Sequence, residues 1–139
     1  MRVMAFGTFD NLHPGHLFYL ASAGAMGDEL IVVLARDENI LKIKGHRPQE
    51  NEAKRLQKLK QALKKLNLNG RAVLGNKADR LQVVRVYKPD IICLGYDQKT
   101  DIEALEKLFI SECFFCKIKR AEPYFPEKYK SSFSRLNKS

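Results

Sequence analysis

The sequence predicts an α/β protein with a Rossmann-like, doubly wound parallel sheet of about five strands and helices on both faces. Three observations predict it. Short apolar runs alternate with helix-periodic segments from residue 1 to the C-terminal region. Two of those runs, ELIVVLA and DIICLG, are apolar throughout, as strands covered on both faces are. The connections are short, and a strand–helix–strand order with short connections favours parallel crossovers.

The elements follow in order. Residues 1–6 form a first strand. Residues 16–26 read as a helix with Leu17, Leu20, Ala21 and Gly24 on its buried side, stopped by Gly27-Asp28. Residues 29–35 are a strand buried on both faces, and 36–49 a polar loop carrying KIKGHRP. Residues 50–66 are a strong helix, because Leu56, Leu59, Leu63 and Leu66 recur at steps of three and four. Gly70 is placed as its cap residue. Residues 71–75 are a strand and 78–88 a helix stopped by Pro89. Residues 90–95 are a strand, 101–111 a helix, and 114–118 a last strand with Phe114, Cys116 and Ile118 on one side. A Pro-containing loop then leads to KSSFSRLNKS, the start of a final helix. Nothing repeats, and nothing reads as a linker, so 139 residues are one domain with one sizeable core.

Composition narrows the function classes. An apolar fraction of 45% with mixed charges is that of a globular chain. No apolar run reaches the roughly 20 residues of a membrane span, and the N-terminus lacks the parts of a signal peptide. The expectation is a cytoplasmic protein with no membrane partner. Three cysteines agree with a reducing compartment. Cys93 reads as core, and the lone C-x-x-C of Cys113 and Cys116 as core packing, with a redox-sensitive pair or a metal as alternatives. A net charge of +9 points to an anionic partner. Much of that charge sits on the outer faces of the 50–66 helix, as a solvated face or as a phosphate- or RNA-facing patch.

The informative stretch is FGTFDNLHPGH, residues 6–16. In open α/β sheets ligands bind beyond the carboxyl ends of the strands, where the strand order reverses. Residues 7–16 lie at that rim. Gly7 allows a tight exit with backbone close to a ligand. Pro14 suits the first turn of a helix, so the helix starts near His13 or Pro14, and its free N–H groups form an anion site. His13 and His16, three apart, bring both imidazoles to one spot, with Gly15 leaving room for a phosphate. A metal pair is the competing reading, but no third ligand stands nearby in sequence. Incidental surface histidines are the other. The chain has only three histidines, and His46 reads as incidental. The glycine patterns G-x-G-x-x-G and G-x-x-x-x-G-K-[ST] are absent, so another device must hold phosphate.

GTFDNLHPGH resembles the H-x-G-H signature of the nucleotidylyltransferase superfamily, in its cytidylyltransferase-like branch. GDELIVVLARDENILKIKG resembles that branch's second strand and lysine-bearing loop, KPDIICLGYDQ its second conserved strand end, and YKSSFSRL its C-terminal Ser/Thr-rich turn. The resemblance covers nearly the whole chain and is strongest to archaeal-type FAD synthases. Two departures stand out: Tyr96 replaces the usual proline before Asp97, and the C-terminal turn reads Ser-Ser-Phe-Ser-Arg.

The resemblance implies a single nucleotidylyltransferase domain over residues 1–139. A phosphate monoester attacks the α-phosphorus of a nucleoside triphosphate and pyrophosphate leaves. It implies ATP as substrate, FMN as acceptor and a divalent cation, Mg²⁺, on the triphosphate. It assigns His13 and His16 as the catalytic pair. Thr8, Phe9, Pro14, Gly15, Asp97, Tyr124, Ser131 and Ser132 join them around the nucleotide. Asp10 and Lys44 fall to phosphate or substrate, with loop-orienting and solvated readings open beside them. Phe9, Tyr96, Tyr124 and Phe125 offer flat surfaces to an isoalloxazine ring. Glycerol 3-phosphate with CTP, or a sugar phosphate as in ADP-heptose synthesis, remain alternative substrates. A nucleotide- or RNA-binding module is the alternative of another class, nucleic acid being the less favoured partner. The sequence leaves a homodimer open.

Overall fold

Val3, Met4 and Ala5 are fully buried at the centre of the structure, a computed structural model that describes residues 1–79, 81–95, 102–113 and 115–123. They belong to β1 (Arg2–Gly7). Four further strands complete a five-stranded sheet: β2 (Glu29–Leu34), β3 (Gly70–Leu74), β4 (Ile91–Leu94) and β5 (Lys117–Arg120). The order is β3-β2-β1-β4-β5 and every pair is parallel. The chain therefore winds outward to one side of β1 and then to the other, so the order reverses between β1 and β4.

The pleat sorts the core into two layers. Val3, Ala5, Leu30, Val32, Leu34, Ile91 and Cys93 face α1 (Pro14–Gly24) and α3 (Glu52–Lys65), meeting Leu20, Ala23, Leu59 and Leu63. Met4, Ile31, Val33, Ile92 and Leu94 face α4 (Gln82–Tyr87) and α5 (Ile102–Ser111), meeting Val83, Val84, Leu105 and Leu108. Residues of opposite parity on one strand serve opposite layers, which is why these strands are apolar throughout. The helices lie on both faces, as the sequence predicts.

The structure departs from the expectations in several places. The polar loop expected over 36–49 contains α2 (Asp37–Lys44). Asp37 and Glu38 complement its positive end, Lys42 and Lys44 its negative end, and Gly45 ends it at φ 79°. Only Ile40 of α2 is buried, so its apolar signal is thin. The cap of α3 is not Gly70. Asn67 takes the left-handed turn at φ 56°, with Asn67 N–H on Lys64 C=O and Leu68 N–H on Leu63 C=O, and Gly70 opens β3. The 78–88 helix is shorter than expected, because the Asn76 side chain captures the N–H groups of Ala78 and Asp79 in a turn. α1 ends at Gly24, ahead of the Gly27-Asp28 stop.

The last strand lies later than 114–118, since its register is set by β4, Ile91 against Lys117 through Leu94 against Arg120. Cys116 and Ile118 do pack together beside α5. Phe114 lies outside the described residues. Cys113 is exposed rather than core. Burial pushes the thiols of Cys93 and Cys116 up to about 11, so neither is a thiolate at neutral pH. No helix among the described residues is long and apolar enough to cross a membrane.

Candidate active site

The exit of β1 at the reversal point is wound by two residues in left-handed backbone conformation, Phe9 and Asn11, each at φ 51°. Neither is glycine, so the surrounding structure must hold them there. Phe9 turns its ring back over Gly7, where a Cβ would meet the ring carbons at 2.6 Å and 2.8 Å. That contact, more than backbone freedom, requires a glycine at position 7. The Phe9 ring is 2% exposed, stacks on Tyr19 at 6.3 Å and meets His16 edge-on at 5.6 Å. Its ring is core, so the flat ligand surface expected of it is not offered.

His13 is the N-cap of α1, with Pro14 in the first turn. Its Nδ1 accepts the Gly15 N–H at 3.1 Å, and His16 Nδ1 accepts the His13 N–H at 3.3 Å. This is a reciprocal capping box built from two imidazoles in place of the usual hydroxyl and carboxylate. His16 N–H and Leu17 N–H both turn to the His13 carbonyl, at 2.9 Å and 3.2 Å. The first-turn amides of α1 are therefore occupied, contrary to the free-amide anion site the sequence suggests. The capping leaves another donor. A neutral imidazole that accepts at Nδ1 carries its proton on Nε2. The two rings stack, with centroids 3.8 Å apart and an interplanar angle of 22°. Burial, then the neighbouring His13 charge, lower the His16 pKa to about 4, while Asp10 opposes that shift. His16 is thus a neutral Nε2–H donor at physiological pH.

The loop carrying these residues is tied to the segment before α3. The Asp10 carboxylate accepts the N–H groups of Gln49 at 2.8 Å and Glu50 at 3.0 Å. Burial raises its pKa, but those two N–H groups and the charges of Arg55 and Lys44 outweigh it, so the net shift is downward. Asn11 N–H donates to Glu50 Oε1 at 3.0 Å, and the Asn11 amide bonds Gln49. Arg55, on α3, is fully buried. It donates to the carbonyls of Thr8 (2.8 Å) and Glu50 (3.0 Å) and to Asp37 Oδ1 (2.6 Å). Asp37 and Glu52 exchange backbone-to-carboxylate bonds, and Arg36 joins Glu52 to the Gly75 carbonyl beyond β3. One polar network thereby links the ends of β1, β2 and β3 to α3. Among the described residues no buried side-chain nitrogen or oxygen lacks a partner.

The structure thus brings together Thr8, Phe9, Asp10, His13, Pro14, Gly15 and His16. Lys44 is exposed at the end of α2, near enough for its charge to act on Asp10. Asp97, Tyr124, Ser131 and Ser132, with Tyr96 and Phe125, lie outside the described residues. His46 is exposed, and among the described residues its ring meets the neighbouring carbonyl of Arg47. Sequence reasoning missed Arg55, Glu50 and Tyr19. Arg55 had a usable signal: it falls at i, i+4, i+7 and i+8 with Leu59, Ala62 and Leu63, on the buried stripe of α3. Glu50 is 6% exposed and bonded to Lys58, but a glutamate beside a helix start carries no mark of burial.

The chain resembles known proteins. The sequence model described as cytidylyltransferase-like matches residues 4–134. The FAD synthase of Methanosarcina mazei is 50% identical over 108 residues, a match covering 76% of this chain and 66% of that protein. The FAD synthase of Methanocella paludicola is 40% identical over 131 residues, covering 94% of this chain and 90% of that protein. Among solved structures, a lipopolysaccharide core biosynthesis protein from Thermoplasma volcanium GSS1 superposes with a TM-score of 0.78 at 38% identity, covering 90% of this chain and 98% of that one. A pantoate-beta-alanine ligase from Francisella tularensis, at 15% identity and a TM-score of 0.57, shares the fold alone. With its histidine-capped helix at the β1–β4 reversal and a match over nearly its full length, the chain belongs to the cytidylyltransferase-like family.

Proposed function

We propose that the chain is an FMN adenylyltransferase, transferring AMP from ATP to the phosphate of FMN with release of pyrophosphate. The observation that carries the transfer chemistry is the stacked imidazole pair, with each Nδ1 accepting a backbone N–H at the start of α1. The names carried by relatives at 40–50% identity support the flavin acceptor.

A phosphate monoester has a second pKa near 6, so the FMN phosphate needs no protein base at neutral pH. One of its oxygens bonds to the α-phosphorus of ATP. The bond from that phosphorus to the bridging oxygen breaks, and its electron pair leaves on pyrophosphate. The protein's task is position and charge stabilisation. Nε2–H of His13 and His16 donate to phosphate oxygens as charge shifts to the leaving group. Their tautomer is fixed beforehand by the capping bonds, so no reorganisation accompanies the transfer. The Thr8–Phe9 backbone borders the nucleotide, Asp10 holds the loop in place, and Lys44 meets phosphate. By the resemblance, Asp97 and Tyr124 serve the nucleoside, and Ser131 and Ser132 the outer phosphates. Among the described residues no group of three or more His, Cys, Asp and Glu could hold a metal ion. A Mg²⁺ would enter on the triphosphate. Cytoplasmic location belongs to the same reading.

A sugar phosphate acceptor is the second reading, favoured by the likeness to the lipopolysaccharide core biosynthesis protein. The test is a matrix of ATP, CTP, GTP and UTP against FMN, glycerol 3-phosphate, a heptose 1-phosphate and phosphopantetheine, read as pyrophosphate release. FAD and pyrophosphate from ATP and FMN are expected. Turnover only with another pair would replace the substrates and leave the transfer chemistry intact. Silence throughout, with tight salt-sensitive RNA binding, would overturn the enzyme reading.

A further inference from the structure

Tyr19 sits one helical turn after His16 and has no part in the phosphate grip. β1 stays registered with β2 as far as Gly7 against Leu34, but with β4 only as far as Ala5 against Cys93. Beyond that pair the two strands part, and the crevice at the reversal point begins. At this apex the Tyr19 hydroxyl donates to the Cys93 carbonyl of β4 and accepts the Phe6 N–H of β1 at 3.4 Å. A side chain from α1 thus bonds both strand ends where they separate. Burial pushes the phenol pKa up, so the group stays a donor across the physiological range. The Tyr19 ring stacks on Phe9, and Phe9 meets His16 edge-on.

We infer that Tyr19 is a positioning residue for the nucleoside triphosphate, its hydroxyl pinning β1 to β4 at the apex of the crevice and its ring supporting the Phe9–His16 contact. The inference rests on the proposed transfer reaction and deepens it. The two roles reside on different atoms and are separable. The hydroxyl fixes the spacing of the strand ends that flank the triphosphate. The ring fixes the histidine that acts on it.

Tyr19→Phe removes the pin and keeps the stack. With ATP and FMN it is expected to raise KM for ATP about tenfold, the effect of losing one well-placed hydrogen-bonding group. KM for FMN and kcat should stay within about twofold, since the histidines keep their support. ATP affinity measured by calorimetry, without turnover, should fall by the same factor. Tyr19→Leu, which removes the ring as well, should lower kcat in addition. Thermal midpoints of both variants report the structural cost separately. A Tyr19→Phe protein with unchanged KM and unchanged ATP affinity, whatever its midpoint, overturns the inference and leaves the transferase reading standing. Wild-type protein that neither binds ATP nor turns over any pair overturns the transferase reading itself, and the inference with it.

Discussion

The two flanks of β1 are built on different principles. On the β2 side the ladder runs the full length of β1, and the loops above it are tied by charge: Arg55 to Asp37 and Thr8, Asp10 to Gln49 and Glu50, Arg36 to Glu52 and Gly75. On the β4 side the ladder stops at Ala5, and the outer strand β5 is four residues with three of them exposed. One flank is a braced wall, and on the other the ladder opens at Ala5, where pairing with β4 ends. His13 and His16 project from the helix that follows the braced loop. If His13 and His16 act on a substrate as proposed, they must be held still while it enters, and dividing the two requirements between the flanks meets both. Strain at Phe9 and Asn11 is tolerated on the braced side because several independent bonds hold that loop.

The largest effect should come from breaking the brace at its buried centre. Arg55→Ala removes a fully buried guanidinium and leaves Asp37 without its closest cationic partner and two carbonyls without their donor. Removing one member of a buried ion pair costs about 3–5 kcal/mol. Urea denaturation at pH 7 is the measurement. A loss below about 1 kcal/mol, the range of exposed pairs such as Lys77 with Glu38, would show that the network is decoration.

Next in size is the loss of a donor on the braced side. His16→Ala should lower turnover with ATP and FMN by roughly 10²–10³, the effect of one preorganised transition-state donor. The fold should survive, since His16 lies at the rim and takes no part in the sheet. Wild-type turnover in a folded His16→Ala protein would remove the histidine pair from the reaction.

A smaller effect follows from pH. The folded His16 pKa is lowered, to about 4 from an ordinary 6.5, so folding favours its neutral form. Its contribution is fully present above pH 6.5 and is lost as pH falls from 6.5 toward 4. Between pH 6.5 and 4.5 the loss should be about 1–2 kcal/mol once partial solvent exposure is allowed for. The carboxylates with lowered pKa values, Asp10, Asp28, Glu50 and Asp79, act mainly below that window, since each is held under its ordinary value of 3.8 or 4.5. Midpoints in urea for wild type and His16→Gln at pH 7, 5.5 and 4.5 test this. Equal slopes in the two proteins would show that His16 is not the titrating group.

How much of this was legible in the sequence follows the same division. The sheet was readable, because strands covered on both faces are apolar throughout and ELIVVLA and DIICLG could be little else. The position of the paired histidines at a helix start was readable from Pro14. Their reciprocal capping was not, because histidine is an unusual cap and the bonds depend on ring orientation. α2 went unread because only one of its side chains is buried. Arg55 was hidden by its neighbours: in a helix rich in exposed lysines, one buried arginine looks like another surface charge. Tyr19 was hidden for a different reason. A tyrosine within an apolar helix face reads as packing, and only the partners of its hydroxyl, 13 and 74 residues away, mark it otherwise.

The smallest predicted effect sharpens the contrast by placing one substitution on each flank. Lys58 and Lys119 are both lysines in regular structure with net charge to spare around them. Lys58 bonds the carboxylate of Glu50, which is 6% exposed and held below its ordinary pKa chiefly by that bond. Lys119 is exposed on β5, the outermost strand on the opening side. Lys58→Ala should cost about 1 kcal/mol, because Glu50 keeps the Asn11 N–H at 3.0 Å and the Lys54 ammonium at 3.8 Å but loses its nearest cation. Lys119→Ala should change stability by no more than about 0.5 kcal/mol, as exposed substitutions do. Charged residues on an outer strand also discourage edge-to-edge pairing, so Lys119→Ala is expected to act on solubility at high concentration before it acts on folding. Denaturation midpoints and light scattering, measured in parallel, separate the two. Equal destabilisation by both substitutions would mean that the flanks of β1 are braced alike, and the division between wall and opening would fail.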